Sequence, residues 1–262
     1  MKKYLCIILS AIIIFSVFSL AACQKKEKEN ETEQTETTAE SRVTKSTTAV
    51  PVRIVDIPTS KEEQVNMLNS ALDFFDLYCY EYTKGVKCTV SDVSVGSLSA
   101  ASNAQKAFKS IFGERDTSND YNYQTAQESF EANAMESGFS TADVALIDAK
   151  QEGNEIVLTA TFANETNPND TAGQLHKLTS EYIGIEKVNS SLSEFSSSAN
   201  SVNIAVSDIT VSIRLNSFDS SLNKLTVSFT EKFSLGSVRL VQLEGSSVTG
   251  TAKTTVTYSN LK

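Results

Sequence analysis

Ser140 stands in the run Gly138-Phe139-Ser140-Thr141-Ala142, which has the letters of a nucleophile elbow with alanine in place of the last glycine. Asp148 or Asp170, and then His176, follow it in the order Ser…Asp…His. In such a set an imidazole takes the serine proton and a carboxylate holds the imidazole, the chemistry of ester or amide hydrolysis. The elbow needs a strand leading into the serine, and no strand pattern precedes Gly138. Ser140-Thr141-Ala142-Asp143 reads equally well as a helix cap and first turn, a spacing that a serine-rich chain produces by chance. Ser221-Leu222-Asn223-Lys224 has the Ser-x-x-Lys spacing of penicillin-binding enzymes, but it lies in a turn before a strand and no Lys-Thr-Gly follows. His176 is the only histidine, so an imidazole zinc site has no second ligand of its kind, and a solvated helix-face histidine is the expectation. The loop Asn164 to Asp170 is dense in oxygen ligands but lacks the glycine and closing glutamate of an EF-hand, and reads as a solvated turn. The glycines stand singly, without the pattern of a phosphate-cradling loop. The residues therefore predict no enzyme, no metal and no cofactor, with a serine hydrolase at Ser140 and His176 as the third-ranked reading.

The most specific signal lies at the N-terminus. Met1-Lys2-Lys3 is a short basic start, Leu5 to Leu20 an apolar run broken only by Ser10, Ser16 and Ser19, and Ala21-Ala22 a small-residue close. That order defines a secretory signal, and sixteen residues fall short of the roughly 20 that span a bilayer. Leu20-Ala21-Ala22-Cys23 resembles the bacterial lipobox at all four positions. The resemblance implies cleavage between Ala22 and Cys23 and attachment of diacylglycerol to the Cys23 thiol. Two acyl chains hold a protein stably to a membrane where one gives only marginal binding.

Loss of residues 1–22 removes Lys2 and Lys3 and leaves 21 basic against 32 acidic residues, a net charge of −11. Nucleic acid needs the opposite sign, so a nucleic-acid partner is excluded. The same balance disfavours a polybasic contact with anionic lipid, leaving the lipid as the expected membrane contact. Gln24 to Val50 holds six glutamates, seven threonines and no aromatic residue, too little apolar surface to fold. The division predicted is a signal over 1–22, a lipidated cysteine and disordered tether over 23–50, and one domain over 51–262. Cys6 leaves with the signal and Cys23 takes lipid, so Cys79 and Cys88 remain. An exported domain permits a disulfide between them; two buried thiols are the competing reading, and the sequence leaves both open.

Within the domain, Val65, Leu68, Leu72, Phe75, Cys79 and Tyr82 share the three-and-four spacing of one helical face, predicting a helix over Ser60 to Tyr82. Ser60 and Glu63 fit a capping box, and Gly85 fits a helix stop. Val86 to Val95 alternates with a phase slip at Ser91-Asp92, as a bulged strand does. Residues 114–140 are polar and weakly patterned. Ala142 to Gln151 and Glu155 to Phe162 read as a hairpin about Glu152-Gly153-Asn154, and Gln174 to Glu186 as a short helix. From Val202 onward, four alternating segments without intervening helices predict an antiparallel meander, with a second phase slip at Ser207-Asp208. The fold class expected is α+β: a long N-terminal amphipathic helix packed on a curved, mainly antiparallel sheet of about seven strands.

As an overall pattern, the lipobox, the Glu/Thr tether and the serine-, threonine- and valine-rich domain ending in a meander resemble uncharacterised lipoproteins of anaerobic low-GC Gram-positive bacteria. The resemblance implies a place on the extracytoplasmic face of the cell membrane and carries no family site. The excess of aromatics on the helix (Phe74, Phe75, Tyr78, Tyr80, Tyr82) exceeds what one buried stripe needs. It points to a non-catalytic binding module for an apolar or amphipathic ligand. A cell-surface module binding a protein or structural partner through strand edges is the alternative.

Overall fold

A computed structural model describes residues 56–96, 106, 108–125, 127, 133, 135–168, 173–194, 199–240 and 243–262. The chain divides into two units, Met1–Thr48 and Ala49–Lys262. The described residues all belong to the second, so Ala22, Cys23, the signal and the tether lie outside them, as does Asp170.

Ser60 starts the first helix as its spacing predicts. Its hydroxyl accepts from the Glu63 backbone N–H at 3.3 Å, and the Glu63 carboxylate accepts from the Ser60 N–H at 3.2 Å. Helix α1 runs Lys61–Tyr78 and buries Gln64, Val65, Leu68, Ala71, Leu72 and Phe75 along one stripe. It ends four residues earlier than expected. Cys79 is already extended, and Tyr82 belongs to strand β1, Glu81–Val95. Tyr82 fits the helical face and the strand's alternation equally, and the aromatic and β-branched run Tyr80-Glu81-Tyr82-Thr83 favours the strand. Gly85 consequently lies inside β1 and stops nothing.

The remaining elements are β2 Arg115–Asn122, β3 Val144–Glu152, β4 Glu155–Phe162, β5 Glu165–Thr166, α2 Leu175–Leu178, α3 Ile185–Glu194, β6 Ser201–Asn216, β7 Leu222–Leu240 and β8 Leu243–Ser259. One antiparallel sheet takes all eight strands in the order β2-β1-β8-β7-β6-β4-β3, with β5 paired to β6. The architecture is thus a mainly-β sheet with short helices, which corrects the α+β expectation of a long helix on about seven strands. Two sequence features misled it. β2 is polar on both faces and shows no alternation, since an edge strand is held by backbone bonds to one neighbour. The segments expected as the last two meander strands are redistributed, Val238 falling in β7 and Leu243 onward forming the single strand β8.

Both phase slips are bulges. The β1–β8 register shifts between Ser91 and Ser94, and the β6–β7 register between Ser207 and Thr210. Asp92 and Asp208 there adopt φ of 53° and 58°, a region that aspartate tolerates better than most residues. Each bulge returns the next apolar residue to the inner face, so Val95 and Ile209 remain buried. The inner face carries the core, with Ile204, Ile213, Leu225, Val227 and Val256 all fully buried. The opposite face is rich in Thr, Ser and Lys, as expected of an antiparallel sheet that meets water on one side.

Candidate functional site

Helix α1 packs on the inner face, where Leu68 and Leu72 are fully buried. An opening lies at the helix flank. Met67, Ser70, Ala71 and Phe74 recur at helical spacing along it, and the far wall is Leu215, Ser220 and Leu222 from the β6–β7 connection. The cavity measures about 280 Å³, just under the roughly 300 Å³ at which small-molecule pockets begin. That connection is held by its own turn chemistry. Asn216 accepts from the Phe218 and Ser220 N–H groups, Asp219 accepts from the Ser221 N–H and hydroxyl, and Ser220 takes φ 61°. Phe74 is 42% exposed at the groove, and Leu77, Tyr78 and Phe218 also meet solvent. An apolar wall left open to water is a favourable place to bury an apolar group. The aromatic excess predicted on the helix is therefore divided: Phe75 and Tyr82 serve the core, and Phe74 and Tyr78 form an exposed pair 5.7 Å apart.

A second cluster is polar and buried. Lys84 occupies an inward position of β1 and is 3% exposed. Its ammonium contacts the Glu181 carboxylate Oε1 and the Asn133 side-chain oxygen. Arg115 opens β2 and donates from Nη2 to Glu181 Oε2 at 2.6 Å and from Nη1 to the Gly113 carbonyl at 3.0 Å. The Tyr82 side chain is bonded to Asn133, and the Tyr258 side chain to Thr179. Thr179 also accepts from the Glu181 N–H at 3.1 Å. Burial acts to raise the Glu181 carboxyl, but hydrogen bonds and charge from Lys84 and Arg115 outweigh it and hold the group below its usual range. Glu231 lies nearby on β7 and is fully buried. Its Oε1 accepts from the Ile183 N–H at 2.8 Å and its Oε2 has no partner, so burial pushes the acid up to about 8.

Of the residues singled out from sequence, Ser140 is hydrogen-bonded to Asp143, His176 Nδ1 is buried without a hydrogen-bond partner, and Asp170 lies outside the described residues. The Ser140 hydroxyl donates to Asp143 Oδ2 at 2.7 Å, in a turn that leads into strand β3 and not into the helix that the cap reading expected. His176 lies in the four-residue helix α2, half-buried, and Asp148 is exposed on edge strand β3. Ser221 donates to Asp219, not toward Lys224. In the calcium-like loop, Glu165 accepts from the Gln174 and Leu175 N–H groups, and Asn167 Oδ1 accepts from the Ile204 N–H at 2.7 Å. Glu165 Oε1 and Asn167 Oδ1 thus serve the backbone, Glu165 Oε2 is buried without a hydrogen-bond partner, and no metal-ligating group of three or more occurs among the described residues.

Cys79 and Cys88 are both free and buried. They flank the start of β1, which runs unbroken from Glu81 to Cys88. Seven strand steps at about 3.3 Å each put Glu81 roughly 23 Å from Cys88; the two residues back to Cys79 recover at most about 8 Å, which leaves the pair well beyond the ~7 Å limit for bridged Cα atoms. The competing reading of two buried thiols fits this geometry, since burial raises both, Cys79 to about 11. They are poor nucleophiles in consequence.

Sequence reasoning missed Lys84, Asn133, Glu181 and Glu231. A signal existed for two of them: Lys84 is in phase with Tyr82, Val86 and Cys88, and Glu231 with Val227, Phe229 and Phe233. A charge on the inward phase of a strand requires a buried partner or a neutral form. No family model matches the chain, and no curated protein or solved structure does either.

Proposed function

We propose that the protein is a lipid-anchored extracytoplasmic lipoprotein whose folded domain is a non-catalytic module binding a small amphipathic ligand in the groove beside α1. The observation that carries this is the open apolar groove of about 280 Å³ between Met67–Phe74 and the β6–β7 connection. Its wall exposes Phe74 to water, and the rim supplies Ser70 and Ser220 for a polar head. The test is titration of the full chain with the amphipathic naphthalene dye ANS. Ser70→Trp should fill the groove from an exposed helix position and weaken dye binding at least tenfold, about 1.4 kcal/mol, with the urea midpoint unchanged. Equal binding by the two chains would sink the groove as the site.

The anchor rests on the likeness of Leu20-Ala21-Ala22-Cys23 to the lipobox. In bacterial cells Cys23→Ala should abolish palmitate labelling and leave a precursor of full length. Labelling that survives the change overturns the assignment. The second reading, a surface module that pairs with a protein partner, draws support from the two sheet edges β2 and β3 and from Leu146, 72% exposed on β3.

A further inference from the structure

Lys84 makes an uncommon pair of contacts. One is the carboxylate that balances its charge; the other is a primary amide, Asn133, itself buried. The amine and the amide are buried beside aromatic rings. Tyr258 is almost fully buried with its ring centroid 5.8 Å from the ammonium, Tyr82 packs edge-on to it at 5.5 Å, and Phe75 closes on Tyr258 at 4.8 Å. Amine, amide and carboxylate thus meet from strand β1, Asn133 and the stretch carrying Glu181, the first two buried and the carboxylate about a fifth exposed.

We propose that Lys84 and Asn133 become joined by an intramolecular isopeptide bond, with Glu181 carrying the proton between them. Amides resist attack because resonance makes them poor electrophiles, but a permanently positioned amine gains the large effective concentration of an intramolecular reaction. Glu181 is ionised at rest and touches the ammonium, so Lys84 gives its first proton to Oε1. The amine lone pair then attacks Asn133 Cγ, and a new Cγ–Nζ bond forms. Glu181 returns the proton to Nδ2 as the Cγ–Nδ2 bond breaks, the general acid–base role. The leaving ammonia takes the remaining Nζ proton and departs as ammonium. No oxidant, metal or co-reactant enters. One lysine cation becomes one ammonium, and Glu181 stays ionised against Arg115. Glu181 and Arg115 are each about a fifth to a quarter exposed, which gives the ammonium a short way out. The product ties β1 to a residue 49 positions along the chain. The inference is independent of the groove, whose residues it does not use.

The test is peptide mapping of the denatured full-length protein by mass spectrometry. The expected result is a branched peptide joining the Lys84 and Asn133 segments, lighter by one ammonia than its two linear parts. Lys84 should also refuse an amine-acylating reagent after denaturation. Lys84→Arg and Asn133→Ala should each yield only linear peptides of full mass, and Glu181→Gln should leave Lys84 reactive with Asn133 intact. Wild-type chain that gives linear peptides, an acylated Lys84 and an unchanged Asn133 overturns the proposal, and this reading needs no variant to fold. A Glu181→Gln chain that cross-links as fully as wild type overturns the role given to Glu181.

Discussion

Replacing Glu231 with glutamine should remove most of the pH dependence of stability between about pH 5 and pH 8. The folded acid titrates near 8 because burial raises it, against an ordinary value of 4.5. Between those values the native chain keeps a proton that the unfolded chain has released, so raising the pH favours unfolding. The neutral acid therefore leaves stability intact below about pH 4.5. Stability is lost progressively from there up to pH 8, where the loss reaches the order of 4 kcal/mol at about 1.4 kcal/mol per unit. Glutamine matches the neutral acid in shape and cannot ionise. Lys187 and Arg115 partly offset the ionised form, and Cys88 feels its charge, so these groups set how much of the loss is realised. Urea midpoints at pH 5 and pH 8 check the expectation. Wild type should fall while Glu231→Gln holds level, and parallel behaviour of the two chains would contradict it.

Phe75→Ala should cost about 3–5 kcal/mol, the largest effect expected from a substitution in α1. Phe75 is 2% exposed and contacts the rings of Tyr82 at 5.3 Å and Tyr258 at 4.8 Å. Removing it opens a cavity where the helix meets β1 and β8, and it unpacks two aromatic pairs at once. Phe74→Ala, one residue away and facing solvent, is the matched control and should change stability by under about 1 kcal/mol. Chemical denaturation of both chains decides it: similar midpoints would show that α1 is not anchored through Phe75.

How much of this was legible depends on whether a signal is local. The start of α1 was, because Ser60 and Glu63 complete a capping box within one turn. Its end was not, because Tyr82 satisfies a helical and a strand period together, and only pairing of β1 with β8 decides between them. The bulges were legible as spacings, Val90 to Val93 and Val206 to Ile209, since an extra residue must shift the phase of every later one. β2 was hidden because neither of its faces forms core, and its strand character comes from the partners of Thr83 to Cys88. The groove was hidden for a different reason: half its wall is a turn that arrives some 145 residues after the helix it faces. The buried cluster lay between these cases. Lys84 announced an inward charge, but nothing near it in sequence pointed to Glu181 or Asn133.

The position of β8 has a consequence for how the chain reaches its fold. The strand formed from Leu243–Ser259 lies between β7 and β1, not at an edge. Thr83 pairs with Ser259 and Val95 with Val248, partners more than 150 positions apart. A ribosome delivers β1 first, yet β1 has no neighbour on that side until these late residues emerge. Contacts of such long range close slowly. Meanwhile β1 and β7 each present an unpaired row of backbone donors and acceptors, the kind of edge that recruits foreign strands. The domain is therefore most vulnerable to misassembly while its last central strand is still missing, and a chain cut short before Leu243 would leave the sheet split in two.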